Sequence, residues 1–441
     1  MYVYVFYLEE CYLKKLCTKI NGLVGCMNVP GDKSISHRAL LIGAMSYGDT
    51  IIKNLSHGKD CLTTIKVLKK LGVEIIESRN NVVVVGKGIN NFLPPKNPLA
   101  MGNSGTTARL MMGILSGAEF DTILIGDKSL SRRPMKRVSA PLKYFGGQIK
   151  LFKDDTLPAI INGQKLHNAE VYMDVVSAQV KSALIFAALQ SEQESVIHEK
   201  LPTRNHTEIL LNKFGAKIET SEDGRTIRVF PSLRLVGQFV DIPGDISSAA
   251  FFLVAGAIVK NSKLILKEVG LNPTRTGILD VLKRMNAKIS ISMIERNEEP
   301  FGDITVETSN LKAITLDKDD IPNVIDELPL VALLAACARG KSSISGAKEL
   351  RFKESDRIVA IVKELKKLGV KVVEREDGMD IWGQENWNVN DNILSSHGDH
   401  RIGMMLAIAA LKAQEEIYLV NEGIVSISYP NFFDDLMKII V

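Results

Sequence analysis

An internal repeat constrains what this chain can fold into more than any other feature. The segment Val29-Pro30-Gly31-Asp32-Lys33-Ser34 returns as Ile242-Pro243-Gly244-Asp245-Ile246-Ser247, 213 residues further along a chain of 441. Each copy runs into small and apolar helix formers, 39–45 in one case and 249–258 in the other. A copy offset by about half the chain reads as two homologous halves.

A shorter period lies inside each half. Amphipathic segments of the LKKLG type recur at 68–75, 142–149, 210–218, 281–289 and 365–372, each with a helix-stopping Gly or Asn. From Gly72 through Gly146, Gly215 and Asn286 to Gly369 the steps are 74, 69, 71 and 83 residues. These are half-exposed helices, followed by β-type runs such as 82–85. A second class of helix, small-residue-rich and apolar on every side, begins near Ser34, Thr106, Ser177, Ser247, Glu327 and His400. Such helices belong in a core. The expected fold is therefore α/β (α+β), with two lobes, each built of three repeated units of roughly 70 residues around buried parallel helices. Parallel helices aim their positive ends one way, so two facing lobes enclose an inter-lobe cleft suited to anions.

Composition excludes several function classes. Hydrophobic residues are 45 % and charged residues 24 % of the chain, a globular balance rather than a disordered one. The net charge of +4 is too mild for a nucleic-acid binder, and aromatics at 6 % do not make a base-stacking platform. No apolar run reaches the roughly 18–20 residues of a membrane helix, and the apolar opening at 2–8 is too short for a secretory signal. Cys11, Cys17, Cys26, Cys61 and Cys337 form no CxxC pair, so neither a zinc site nor a disulfide framework is expected, and a reducing, cytoplasmic compartment fits best.

The chemistry-bearing residues gather at helix starts. In Pro30–Arg38, Lys33, Ser34 and Arg38 set a cation, a hydroxyl and a guanidinium on one helix N-terminus, which suits phosphate or carboxylate; a capped helix with solvated charges is the bland reading. The segment is not a Walker P-loop, because Asp32 separates the glycine from the lysine. Gly102-Asn103-Ser104-Gly105-Thr106-Thr107-Ala108-Arg109 is either a glycine turn or an anion cradle of backbone N–H groups. The basic run within 126–137 (Arg132, Arg133, Lys136, Arg137) is a solvated loop or a mobile lid. Ser177-Ala178-Gln179-Val180-Lys181-Ser182 opens a third helix with hydrogen-bonding groups. Asp326 and Glu327 read as a helix cap or as acids for catalysis. Lys353-Glu354-Ser355-Asp356-Arg357 reads as an exposed, salt-bridged helix face, or as a carboxylate tuned among cations for proton transfer. Gly398-Asp399-His400-Arg401 adds an arginine at a helix start; a locally bonded structural histidine is the bland reading of His400. Many cations around few acids suggest two anionic substrates and proton transfer between them.

These motifs, in this order from about Gly22 to the C-terminus, resemble the 5-enolpyruvylshikimate-3-phosphate synthase (EPSP synthase) family of EPT/RTPC-like enolpyruvyl transferases. The resemblance implies a first lobe at 29–242 and a second at 1–28 plus 243–441, with hinges near Val29 and Ile242. It implies transfer of the enolpyruvyl group of phosphoenolpyruvate to the 5-hydroxyl of 3-phosphoshikimate, releasing phosphate, by a monomer needing no metal or cofactor. Carried across, Lys33, Ser34, Arg38, Ser177, Ala178, Gln179, Thr203, Asp326 and Lys353 would hold 3-phosphoshikimate. Lys33, Gly105, Arg133, Gln179, Arg357 and Arg401 would hold phosphoenolpyruvate. Asp326 would take the hydroxyl proton, and Glu354, with Lys33, would handle the proton at the methylene carbon. The segment 201–208 is similar to a subgroup in which Arg204 shares the phosphate.

The chain departs from the pattern at His37, where many members carry Asn, at Leu110, where many carry Pro, and at Ile427, where many carry a phosphoenolpyruvate-binding lysine. The first dozen residues have no family counterpart and are expected to be an extension or a mis-assigned start. Two alternatives stand beside this reading. The sister transferase acting on UDP-N-acetylglucosamine usually has Lys-Asn at 33–34 and a cysteine in the mobile loop, which 121–137 lacks. A non-catalytic anion-binding protein on the same scaffold would have lost Asp326, Glu354 or Lys33.

Overall fold

The computed structural model describes residues 13–78, 81–232, 234–294 and 299–441. The first dozen residues, 1–12, lie outside the described residues.

Six helices form the interior: α1 (Lys33–Met45), α2 (Gly105–Ser116), α3 (Ala178–Ala188), α4 (Ile246–Ile258), α5 (Leu328–Cys337) and α6 (His400–Ala410). Their starts match the expected positions to within a residue or two. Five of them are capped by a side chain on the residue before the helix: Asp32, Ser104, Ser177, Asp245 and Asp399 each accept from a backbone N–H of the first turn. A cap at that place satisfies one of the N–H groups a helix start leaves unpaired. On α5 the corresponding residue, Glu327, makes no capping bond.

Each interior helix belongs to a unit with a small sheet. In the second unit Leu99–Ala100 pairs parallel with Asp121–Ile125, which pairs antiparallel with Ala159–Asn162, which pairs antiparallel with Gln148–Leu151. The third and fifth units repeat that order and those directions. Strands such as Asn81–Lys87 alternate buried with half-exposed residues, so one face of each sheet packs inward. The amphipathic helices Lys59–Lys70, His206–Lys213, Gly277–Arg284 and Arg357–Lys367 cover the remaining apolar edges.

The first and fourth units exchange a strand. The parallel strand of the first unit is Phe239–Asp241, and that of the fourth is Val24–Asn28. The chain therefore crosses between strand and helix twice, at 28–33 and 241–246. The two crossings bond each other reciprocally: Asp32 N–H donates to Pro243 O and Asp245 N–H to Pro30 O, both at 2.8 Å. Leu13–Lys15 pairs with Tyr418–Val420 in the sheet of the sixth unit.

The buried apolar side chains fall into two clusters. One takes in α1–α3 and their units up to Ile242; the other takes in Leu16, Leu23 and Val29 with α4–α6 and the C-terminal helix Phe432–Ile439. Within the first, α2 and α3 touch backbone to backbone. A Cβ on Gly113 would lie 2.1 Å from Ala183 O, so only glycine permits that approach.

Candidate active site where six helix starts meet

The N-termini of all six interior helices line one cavity of about 490 Å³. Lys33 and Ser34 come from α1, Gly105 and Thr106 from α2, Ser177, Ala178 and Gln179 around the start of α3, Asp245 before α4, Asp326 before α5, and His400 and Arg401 from α6. Partial positive charge from six helix starts converges there. Thr203, Arg133, Lys353, Glu354 and Arg357 complete the expected set. Arg38 is the exception. It is buried behind the wall, its Nε donating to Thr207 Oγ1 (2.6 Å) and its Nη atoms to Ser34 O (2.9 Å) and Ser182 Oγ (2.7 Å).

The two carboxylates are held by cations. Asp326 accepts from Arg204, with Arg357 Nη1 at 3.9 Å and Arg401 Nη2 at 3.8 Å. Burial opposes its charge, but Arg204, Arg401, Lys353 and Arg357 outweigh burial and hold the carboxyl well below its usual range. Glu354 accepts from Arg357 at 2.7 Å and sits 3.3 Å from Arg133. Burial again raises it and Arg357 and Arg133 prevail, so its carboxyl also lies well below its usual range. Lys353, half-buried beside them, is lowered by desolvation. Lys33 is opposed by burial too, yet Asp60, 3.0 Å from its Nζ, raises it above its ordinary value.

One end of the cavity is built on α2. A Cβ at Gly105 would lie 2.9 Å from Arg109 Nη1 and 3.4 Å from Arg133 Nη1, so glycine leaves the space in which two guanidiniums meet. Arg133 is fixed by Asn103 Oδ1 (2.6 Å) and Ser129 Oγ (3.2 Å). Arg357 donates to Asp399 and Glu354 while its Nη1 has no hydrogen-bond partner among the described residues, leaving a donor at the cavity wall.

Three expectations change. Residues 353–356 are not part of a helix face: Asp356 caps Arg357–Lys367, and of the four residues before Arg357 two, Lys353 and Glu354, line the cavity. The basic run divides, with Arg133 buried and Arg137 paired to Glu349 at 2.5 Å across the cleft, while Arg132 and Lys136 face solvent. His400 is not bonded locally; neither ring nitrogen has a partner among the described residues, and burial lowers its pKa to about 4.

Comparison with known proteins shows the family of the chain. The profile of the family EPSP synthase (3-phosphoshikimate 1-carboxyvinyltransferase) matches residues 17–436. The chain belongs to the EPSP synthase family. It is 53 % identical over 429 residues to the 3-phosphoshikimate 1-carboxyvinyltransferase of Limosilactobacillus fermentum, covering 97 % of this chain and 99 % of that protein. It is 51 % identical over 428 residues to the enzyme of that name from Lactiplantibacillus plantarum, with 97 % and 99 % covered. Among solved structures, EPSP synthase from Acinetobacter baumannii superposes with a TM-score of 0.84 at 37 % identity, over 97 % of both chains. The enolpyruvyl transferase NikO from Streptomyces tendae shares the fold at a TM-score of 0.79 and 16 % identity, over 97 % of each chain.

Several residues that line this cavity have no site role in the sequence analysis. Arg109, which donates to Gln179 Oε1 at 2.7 Å, is the arginine of the glycine-turn motif, four residues after Gly105, and that spacing was a usable signal. Asp60 looks like an ordinary acid in the first turn of Lys59–Lys70. Arg275 lies in a turn before Gly277–Arg284 and Glu349 in the short 3-10 helix Lys348–Phe352, and neither stands in a motif. Ile427 does not line the cavity.

Proposed function

We propose that this chain is a 3-phosphoshikimate 1-carboxyvinyltransferase. It transfers the enolpyruvyl group of phosphoenolpyruvate to the 5-hydroxyl of 3-phosphoshikimate, giving 5-enolpyruvylshikimate 3-phosphate and phosphate for chorismate and aromatic amino-acid synthesis. The observation that carries the reading is two carboxylates set among clustered cations in one cavity, in a chain about half identical to enzymes of that name.

The residues divide the work by chemistry. Ser34, Ser177, Ala178, Gln179, Thr203, Lys353 and Arg204 take 3-phosphoshikimate, with Arg38 acting from behind through Ser34. Gly105, Arg133, Gln179, Arg357, Arg401 and Lys33 take phosphoenolpyruvate. Asp326, ionised, accepts the 5-hydroxyl proton as that oxygen bonds to C2 of phosphoenolpyruvate. Glu354, with Lys33, delivers a proton to C3, which gives a tetrahedral adduct. Loss of a proton from C3 and departure of phosphate from C2 then restore the double bond. Glu354 is a donor only once protonated, and the anionic groups of phosphoenolpyruvate compete for Arg133 and Arg357 and so lift its pKa. The cations stabilise the departing phosphate.

The moving bodies are a first lobe at 29–242 and a second at 1–28 plus 243–441, hinged at the two crossings, and closure expels water from the cavity. The enzyme works as a cytoplasmic monomer; no described helix is long and apolar enough to cross a membrane.

Phosphate release from phosphoenolpyruvate, measured with 3-phosphoshikimate and in parallel with UDP-N-acetylglucosamine, tests the activity. Release with the first alone is expected, and release only with the second would overturn the reading. The roles are tested by Asp326→Asn and Glu354→Gln, each expected to lower kcat by about 10²–10⁴-fold with the melting temperature little changed. Near-native kcat in either variant removes that residue from proton transfer.

A further inference from the structure

Where the two chain crossings meet, four polar side chains surround one buried guanidinium that the reaction above does not use. Arg275 follows the strand Lys263–Gly270 and reaches back between the crossings. Its Nη1 lies 3.5 Å from Asp32 Oδ2 and donates to Ser34 Oγ at 3.3 Å; its Nη2 donates to Ser247 Oγ at 2.6 Å and Asp245 Oδ1 at 3.3 Å. The side chain is 4 % exposed, and that edge lines the cavity.

The partners explain the need for a cation. Asp32 and Asp245 cap α1 and α4, the equivalent helices of the two halves, and the reciprocal bonds of the crossings bring the two carboxylates together. Two buried like charges cannot both stay ionised unless a cation lies between them. Burial pushes both carboxyls up; Arg275 brings Asp32 below its usual value, while Asp245, facing Asp32, stays raised. A planar fork can pair with both carboxylates and still spare a donor, which a single ammonium cannot do.

The spared donor goes to Ser34. Among the described residues, Ser34 Oγ makes no other hydrogen bond. A hydroxyl oxygen that accepts from a guanidinium is polarised and keeps its own hydrogen for another acceptor. With Arg38 holding Ser34 O from the other side, the hydroxyl faces the cavity as a donor.

We propose that Arg275 is a positioning residue of the 3-phosphoshikimate subsite: it spans the joint between the lobes and presents the Ser34 hydroxyl as a hydrogen-bond donor to the anionic substrate. The proposal rests on the reading of the cavity given above, and phosphate release by the unaltered enzyme tests that reading separately. Arg275→Lys keeps a cation between the carboxylates and hence a folded protein, but it cannot hold both and Ser34 as well. It is expected to raise KM for 3-phosphoshikimate about tenfold while KM for phosphoenolpyruvate stays within about twofold. Ser34→Ala leaves the whole charge cluster in place and is expected to show the same selective rise. The double variant is expected to add nothing further, because the two residues act as one unit. Equal rises in both KM values, multiplying effects in the double variant, or unchanged kinetic constants with only a lower melting temperature would each overturn the proposal.

Discussion

At the scale of single residues, the Arg204–Asp326 pair decides how the cavity responds to pH. Arg204 comes from the segment after the third unit's interior helix, and Asp326 from the turn before α5, so the ion pair joins the two halves. An acid held low by a cation stays ionised, and ready to accept a proton, far into the acidic range. Removing the cation lifts its pKa, and the base is then lost to protonation at a higher pH. In Arg204→Gln the acid limb of kcat/KM, which reports the free enzyme, is expected to move up by about one pH unit. A limb that stays in place would mean that Arg401, Lys353 and Arg357 hold Asp326 down without help. The sequence picked out the residues on both sides of this pairing but not the pairing itself. Asp326 and Arg204 are 122 positions apart, and contact over that distance is a product of the fold. Arg109 was legible from its helical spacing; Arg275 was not, because nothing in its turn reveals that two helix caps from separate halves converge on it.

Elements were easier to read. An interior helix is apolar on all sides and a covering helix on one, and both patterns survive in any context. Caps were equally visible, since Asp, Ser or Thr before an apolar run has a local reason to be there. Residues 353–356 were open to two readings because a dense run of charges at helical spacing looks like an exposed helix, and only the Asp356 cap shows that the helix starts later. The crossings at 28–33 and 241–246 are the elements on which the proposed closure depends. Each passes from a strand in one cluster to a helix in the other, so rotation about them leaves both cores packed. In small-angle scattering the radius of gyration is expected to fall on adding both substrates, toward the roughly 22 Å of a compact chain this long. No change would remove hinge motion from the mechanism.

For the whole molecule, acid stability follows from histidines buried neutral. His37 touches Thr64 Oγ1 at 2.7 Å and is fully enclosed, and burial pushes its pKa from 6.5 down to about 3. His400 falls to about 4 for the same reason. The unfolded chain takes up these protons near pH 6.5 and the folded one does not. Stability is therefore full above that value and is lost as the pH falls toward 3–4. By pH 4.5 His37 alone is expected to remove about 2–3 kcal/mol. Urea midpoints measured between pH 7 and 4.5 check this, and His37→Asn should flatten the slope. A slope that His37→Asn leaves unchanged would show that buried carboxylates, not this histidine, govern the loss.

Repeat, caps and burial pattern were written in the order of the residues, because each depends on neighbours a few positions away. Two halves, six buried helices and the helix starts that carry charged and hydroxyl groups could be named on that basis. The exchange of Val24–Asn28 and Phe239–Asp241 between units, the withdrawal of Arg38 behind the wall, and the clustering of Arg275 with Asp32 and Asp245 could not. Those arrangements depend on segments far apart in sequence sharing one volume, and the tertiary structure settled them by pairing buried backbone, hydroxyl and charged groups that no local pattern brings together.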